Sequence, residues 1–151
     1  MRNISGDDVL LLDSSVVMKW FRSEADFALA RELRKGHLSG RWEIRLADLV
    51  LYETGNALLY SGDFSADEVI QSIESVLQLE LILYAFDHPI FKRALQISSA
   101  HGVAIYDSYL VALAEIENLI FVTADERLLQ KITDRSNTVG LNEIRLSDVE
   151  S

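Results

Sequence analysis

Two short, continuous apolar runs constrain the fold of this chain more than any other feature. Residues 9–12 and 119–122 are each four residues long and contain no polar side chain, which is typical of strands buried on both faces. Segments with helical periodicity separate the candidate strands. Parallel strands need a crossover connection of about a dozen residues or more, usually a helix. The sequence therefore predicts an α/β domain, a three-layer α/β/α sandwich with a short parallel sheet and helices on both faces.

The remaining segments continue this alternation. Helices are expected over residues 16–21, 25–38, 49–60, 65–77, 87–100, 106–117 and 124–132. Further strands are expected over residues 44–46, 79–85 and 144–146. Ser14 and Asp48 occupy N-cap positions of two of these helices, and Ser65 with Glu68 has the spacing of a capping box.

Length and composition indicate one packed domain. The chain has 151 residues and a hydrophobic fraction of 49%, and a chain of that length fits one domain. No repeat or Pro/Gly/Ser-rich linker divides it, so we expect a single domain over residues 1–151, with 1–8 and 148–151 as short tails. The absence of cysteine excludes disulfides, thiolate metal sites and cysteine nucleophiles.

The location expected from the sequence is cytoplasmic. No segment approaches the ~20 apolar residues that a membrane span needs, so we expect no membrane association. The first eight residues contain one Arg and two Asp and lack the basic start and long apolar stretch of a signal peptide.

The strong negative charge limits the classes of partner. A formal net charge of −10 argues against a protein that coats nucleic acid by bulk electrostatics. It leaves open an acidic pocket that binds divalent cations.

Two aspartates follow the two clearest strands. Asp13 comes directly after the first strand and Asp125 shortly after the strand at 119–122. The carboxyl ends of parallel strands lie at one edge of the sheet, where sites of α/β proteins form. We therefore expect both carboxylates at the same edge.

Two further acids occupy inward-facing helical positions. Glu53 shares an apolar stripe with Leu49, Val50 and Ala57, and Tyr60 continues that stripe. Asp107 occupies a similar inward-facing position on the helix predicted over residues 106–117.

Asp107 stands in the first turn of its helix, in a stripe with Leu110, Val111 and Ala114. Alone, Asp107 fits a first-turn acid favoured by the helix dipole, and Asp13 and Asp125 fit ordinary strand-end and loop positions. Together, four inward acids without an evident basic partner would repel one another and raise their pKa values. A hard divalent cation removes that penalty.

The motifs around these acids resemble the PIN-domain ribonucleases, most closely their VapC-like toxin branch. The matching segments are DSSVVMKWF at 13–21, YETGNAL at 52–58, YDSYLVALA at 106–114 and FVTAD at 121–125. Their order and spacing agree over residues 9–146. One departure is Asp48, where relatives often have Pro before this helix.

The resemblance implies an endoribonuclease that uses Mg²⁺ or Mn²⁺ to hydrolyse RNA phosphodiester bonds. The residues that fall on the family's catalytic and metal-binding positions are Asp13, Glu53, Asp107 and Asp125. The supporting positions are Ser15, Asn56 and Thr123. The resemblance also implies the toxin of a toxin–antitoxin pair, with a small antitoxin protein as partner and a homodimeric state.

Two alternatives compete with this interpretation. A phosphoacceptor receiver domain also has an acidic pocket above a parallel sheet, but it would place an Asp at a mid-chain strand end, where this chain has the helical Glu53. A catalytically silent PIN-like interaction module would retain the fold, and the intact set of four acids argues against it.

Basic and apolar side chains supply candidates for contacts beyond the acids. RNA binding by so acidic a chain should depend on a local basic rim, with the candidates Lys19, Arg22, Lys92, Arg93, Arg127 and Lys131. Candidates for protein interfaces, with core burial as the competing interpretation, are Phe27, Trp42, Phe64 and Phe86.

Overall fold

The computed structural model describes residues 1–147, and the predicted tail at 148–151 lies outside them. The strands are β1 (Arg2–Ile4), β2 (Val9–Leu12), β3 (Glu43–Ala47), β4 (Ile82–Tyr84), β5 (Ile120–Thr123), β6 (Thr138–Gly140) and β7 (Ile144–Leu146). The α-helices are α1 (Ser14–Val17), α2 (Phe27–Leu38), α3 (Asp48–Tyr60), α4 (Ala66–Leu77), α5 (His88–His101), α6 (Ile105–Glu117) and α7 (Glu126–Lys131). Short 3-10 turns cover Met18–Trp20 and Leu141–Glu143.

Five parallel strands form the central sheet, in the order β4–β3–β2–β5–β6. Helices cover both faces, so the predicted α/β sandwich is confirmed. The chain builds outward from β2 to β4 and then returns to place β5 on the other side of β2. This reversal opens a crevice at the carboxyl ends of β2 and β5, which is where ligand sites of open α/β sheets lie.

The core lies on both faces of this sheet. Leu10, Leu11 and Leu12 of β2 and Phe121 of β5 are fully buried, which explains why these strands have no polar residues. Both tryptophans pack in the core rather than at a surface, and their indole groups bond to α2: Trp20 Nε1 donates to the carbonyl of Ala30 and Trp42 Nε1 to that of Leu33, each at 2.8 Å.

The prediction that residues 1–8 form a tail was wrong. Strand β1 pairs in parallel with β7, with Arg2 opposite Ile144 and Ile4 opposite Leu146. Ile4 is fully buried in the core, and its carbonyl accepts a hydrogen bond from the Ser147 N–H at 3.0 Å. The strand has one buried apolar side chain among three residues, too few to give a periodic pattern.

The helix starts were predicted with mixed success. The Ser65–Glu68 capping box is present, with bonds of 3.2 Å to Ser65 Oγ and 3.0 Å to Glu68 Oε1. The cap of α1 is Asp13 and not Ser14, because the Asp13 carboxylate accepts from the Ser14 N–H. The N-cap of α3 is Ala47, so Asp48 lies in the first turn and caps nothing.

The inward face of α3 differs from the predicted stripe. The buried residues are Val50, Thr54 and Leu58, spaced by four, whereas Tyr60 is 79% exposed. Glu53 therefore lies at the edge of the buried face and is half-buried. The Glu53 side chain is therefore partly exposed and is not enclosed in the core.

No helix within residues 1–147 has the length and apolar character needed to cross a membrane.

Gly36 allows the close contact between α2 and Trp42. A Cβ atom at this position would lie 2.0 Å from Trp42 Cζ2. We expect Gly36→Ala to lower the free energy of unfolding by about 1–3 kcal/mol, the usual cost of overpacking a core, because the indole has to move away from the Leu33 carbonyl. Chemical denaturation measures this.

Gly55→Ala is the matched control, since a Cβ there would meet Val69 Cγ1 at an ordinary 3.8 Å. Alanine is favoured over glycine in a helix by about 0.8–1.0 kcal/mol, so this variant should be at least as stable as the wild type. Equal stability of the two variants would contradict the packing described for Gly36.

Candidate functional site

Asp13 lies at the centre of the crevice between β2 and β5. Asp13 is 4% exposed. It directly follows β2 and continues the pairing with β5, because its N–H donates to the carbonyl of Val122 at 3.0 Å. Oδ1 accepts from the Ser14 N–H at 2.8 Å. Oδ2 accepts from Ser15 Oγ and Thr123 Oγ1, both at 2.7 Å. The carboxylate thus joins β2, α1 and β5 through neutral donors.

The two hydroxyls that hold Asp13 are themselves fixed by the backbone after β5. The Ala124 N–H donates to Ser15 Oγ at 2.9 Å, and the Asp125 N–H donates to Thr123 Oγ1 at 3.1 Å. Both hydroxyl protons are therefore directed at Asp13. The predicted supporting residues Ser15 and Thr123 lie in direct contact with the central carboxylate.

Asp125 follows β5 and caps α7. Its Oδ1 accepts from the Arg127 N–H at 3.0 Å and the Leu128 N–H at 3.2 Å. The helix begins at Glu126, two residues later than predicted, because Asp125 supplies the cap. Asp125 therefore has a structural role in addition to its place at the crevice.

Glu53 and Asp107 approach the same crevice from α3 and α6. Each is half-buried, and Glu53 Oε1 is buried without a hydrogen-bond partner within residues 1–147. The negative charges of Asp13 and Asp107 raise the pKa of Glu53, and those of Asp13 and Asp125 raise the pKa of Asp107. The four predicted acids thus act on one another at one end of the sheet.

Burial is the largest cause of these pKa shifts. It raises the pKa of Glu53 to about 7 and that of Asp107 to about 6, with the neighbouring carboxylates adding to both. Burial also raises the pKa of Asp13, although the hydrogen bonds from Thr123, Ser15 and Ser14 oppose the shift. The ionised forms of these three carboxyl groups are therefore destabilised in the folded protein.

Cationic side chains do not pair with these acids in the described part of the chain, where the ion pairs all involve other carboxylates. Lys131 is the cation whose charge lowers the pKa of Asp107, and its Nζ donates to the carbonyl of Gly102 at 3.3 Å. A cluster of structural ion pairs is therefore not the reason for these four acids.

Other predicted contact residues have different surroundings. Asn56 lies one turn after Glu53, is exposed and makes no side-chain hydrogen bond within residues 1–147. Lys19 is almost buried, and its Nζ donates to the carbonyl of Ala25 at 2.7 Å. Lys19 also pairs with Glu24, Arg22 pairs with Asp63 and Arg93 pairs with Glu115. Among the residues described, the predicted basic residues without an ion pair are therefore Lys92, Arg127 and Lys131.

The donor chemistry of the site fits a hard divalent cation, but the side chains are not gathered around one point. Oxygen ligands suit Mg²⁺ and Mn²⁺, and Glu53 Oε1 lacks a partner. Within residues 1–147, however, no group of three or more carboxylate or imidazole side chains stands close enough to hold a metal ion. Binding would require side-chain rotation toward the cation.

A family model matches most of the sequence. The family model described as PIN domain matches residues 10–134, a range that includes all four acids and both hydroxyls. The chain belongs to the PIN domain family. No curated protein sequence matches it significantly.

Solved structures share its fold. A protein from Pyrobaculum aerophilum superimposes with a TM-score of 0.63 at 20% identity, covering 91% of each chain. A chain of a toxin–antitoxin complex from Klebsiella pneumoniae has a TM-score of 0.65 at 14% identity, covering 89% of this chain and 99% of that one. VapC20 from Mycobacterium tuberculosis, a toxin that cleaves the sarcin–ricin loop, has a TM-score of 0.65 at 12% identity, covering 80% and 93%.

The raised pKa of Glu53 predicts how stability depends on pH. A carboxyl group whose pKa is higher in the folded state favours folding most below its unfolded pKa, and that contribution is lost as pH rises through the folded value. For Glu53 this window runs from the ordinary value of 4.5 to about 7. Without metal, Glu53→Gln should therefore match the wild type in melting temperature near about pH 4 and exceed it above about pH 7.

The measurement is thermal unfolding of both proteins in a chelator across this pH range. Glu74→Gln, on the exposed face of α4, controls for loss of one negative charge. A lower melting temperature for Glu53→Gln at neutral pH would show instead that Glu53 makes a stabilising ion pair.

Proposed function

We propose that this chain is a divalent-metal-dependent endoribonuclease that hydrolyses RNA phosphodiester bonds, and that it is the toxin of a toxin–antitoxin pair. The observation that carries the nuclease proposal is a set of four carboxylates that share one crevice at the β2–β5 reversal without a cationic partner in the described chain. Membership of the PIN domain family supports the nuclease proposal. The same membership argues against a receiver domain.

The residues proposed to hold Mg²⁺ or Mn²⁺ are Asp13, Glu53, Asp107 and Asp125. Such a cation, when bound by these residues, would activate a water molecule and neutralise charge on the phosphoryl oxygens. Asp13 is held in one orientation by Ser15 and Thr123. Glu53 Oε1, which has no donor from the described chain, is free to bind the cation or to accept a proton from the attacking water.

RNA would approach a protein that is negative overall. Its phosphates therefore need local cations, and Lys131 is a candidate because its charge lowers the pKa of Asp107. Arg127 is exposed on the helix that Asp125 caps. With so few phosphate contacts, RNA binding should depend only weakly on salt.

Exposed apolar side chains beside the site support a protein partner. Tyr52 and Leu59 of α3 and Ile70 and Leu77 of α4 are 80, 43, 54 and 50% exposed, and the two helices pack together where Gly55 meets Val69. An apolar surface of this kind next to Glu53 suits a small antitoxin that covers the site. A protein of the same fold is part of a toxin–antitoxin complex from Klebsiella pneumoniae.

A homodimer is also proposed. Strand β4 forms an edge of the central sheet, and its residues Ile82 and Leu83 are exposed. Edge strands with exposed apolar side chains favour association with another chain.

The nuclease proposal predicts the effect of Asp13→Asn. Wild-type protein should cleave a mixed RNA pool in Mg²⁺ or Mn²⁺ and stop when the metal is chelated. Asp13→Asn should reduce the rate more than about 100-fold, because loss of groups that merely support a metal ligand already costs about 10–100-fold. End-labelled RNA separated on gels measures the rates.

Asp67→Asn, in the exposed first turn of α4, is the matched control and should cleave like the wild type. Equal cleavage by Asp13→Asn and wild type would refute the assignment. Absence of cleavage by any of the proteins would favour the silent interaction module.

The toxin proposal predicts a growth phenotype. Expression of the wild-type chain in its own host should arrest growth, whereas Asp13→Asn should be tolerated at the same protein level. Co-expression of a small protein encoded beside this gene should restore growth. A wild-type chain that cleaves RNA in vitro but leaves growth unchanged would indicate a housekeeping nuclease.

A further inference from the structure

A small aromatic pocket opens beside the acidic site. Its volume is about 240 Å³, below the roughly 300–1,000 Å³ of pockets for drug-sized ligands. Four aromatic rings contribute to its lining, those of Phe86, Phe91, Tyr106 and Tyr109. A pocket of this size and composition suits a single planar ring system.

Two residues that line the pocket lie close in sequence to two of the four acids. Its residue Leu49 lies one helical turn before Glu53 on α3, so the two side chains share a face of that helix. Tyr106 directly precedes Asp107 on α6. The pocket therefore lies on the two helices that carry Glu53 and Asp107, one turn before the first and one residue before the second.

The aromatic rings of the pocket pack against one another. The ring centroids of Phe86 and Tyr109 are 6.1 Å apart, and the two rings stack with 14° between their planes. The ring centroids of Phe86 and Phe91 are 5.4 Å apart. The Tyr109 hydroxyl accepts from the Asp87 N–H at 2.7 Å, which holds the turn that carries Phe86. Even so, Phe86 is 65% and Tyr106 63% exposed, so both have ring surface available for stacking.

One carboxylate lies in this otherwise apolar lining. Asp48 is half-buried, and within residues 1–147 its side chain makes neither a hydrogen bond nor an ion pair. It does not cap α3, whose N-cap is Ala47. Its place in the first turn favours α3 through the helix dipole, and that role leaves its two carboxylate oxygens available to accept hydrogen bonds from a ligand.

We propose that this pocket binds one unpaired nucleobase of the RNA substrate, next to the cleaved phosphate, and that guanine is the preferred base. The proposal rests on the nuclease function proposed above. Proteins commonly recognise unpaired RNA bases by stacking them on aromatic side chains and hydrogen-bonding their edges. Guanine presents adjacent N–H donors that match the two oxygens of Asp48, whereas uracil flanks its single N–H with carbonyl oxygens that a carboxylate repels.

The test measures RNA binding in an Asp13→Asn background with Mg²⁺, where the RNA is expected to stay intact. Fluorescence anisotropy compares a short oligouridine with the same oligomer carrying one central guanosine. The guanosine oligomer should bind at least about 5-fold more tightly, the discrimination typical of one bidentate contact. Asp48→Ala should remove this preference.

Phe86→Ala and Tyr106→Ala should each weaken binding of both oligomers by about 5- to 150-fold, the effect of losing one stacked base. Tyr60→Ala is the matched control, because Tyr60 is an exposed tyrosine at the far end of α3. It should bind both oligomers like its parent.

The proposal is overturned if the pocket variants bind both oligomers like the Tyr60→Ala control. It is also overturned if Phe86→Ala converts a dimer to a monomer, measured by light scattering, with RNA binding unchanged; the pocket is then a self-association surface. The nuclease proposal fails by a different result, the absence of metal-dependent cleavage by wild type.

Discussion

The carboxylate of Asp13 is the group on which the rest of this structure depends. It joins β2, α1 and β5 by accepting from Ser14, Ser15 and Thr123, and a buried carboxylate is strongly destabilising unless hydrogen bonds satisfy it. Because these donors are neutral, the bonds hold the group in place without cancelling its charge. Burial raises the pKa of both Glu53 and Asp107, and the negative charge of Asp13 raises both further.

The fold tolerates this charge because the destabilising groups stand at the edge of the sheet. The strands beneath them consist of fully buried apolar residues such as Leu11 and Phe121, and the hydrophobic effect of that core offsets the repulsion above it. Sites that break the rules of stable packing in this way are expected where a protein performs chemistry. Neutralisation by a divalent cation is the functional explanation that fits these donors.

The parts of the fold that could be predicted are those with dense local signals. Strands β2 and β5 are continuous apolar runs, and the Ser65 capping box is a contact between near neighbours in sequence. Strand β1 was missed because its stability comes from pairing with β7, more than 140 residues away, and not from its own pattern. The predicted inward face of α3 is wrong at Tyr60 because a helix with several apolar residues admits more than one inward face.

The candidate acids can be selected from the sequence for a related reason: an acid among apolar residues is conspicuous, whereas the direction of a hydrogen bond cannot be read from the sequence. Nothing in the order of residues indicates that Ala124 and Asp125 direct the hydroxyls of Ser15 and Thr123. The same limit applies to Asp48, which reads as a helix cap until the structure places it among aromatic rings.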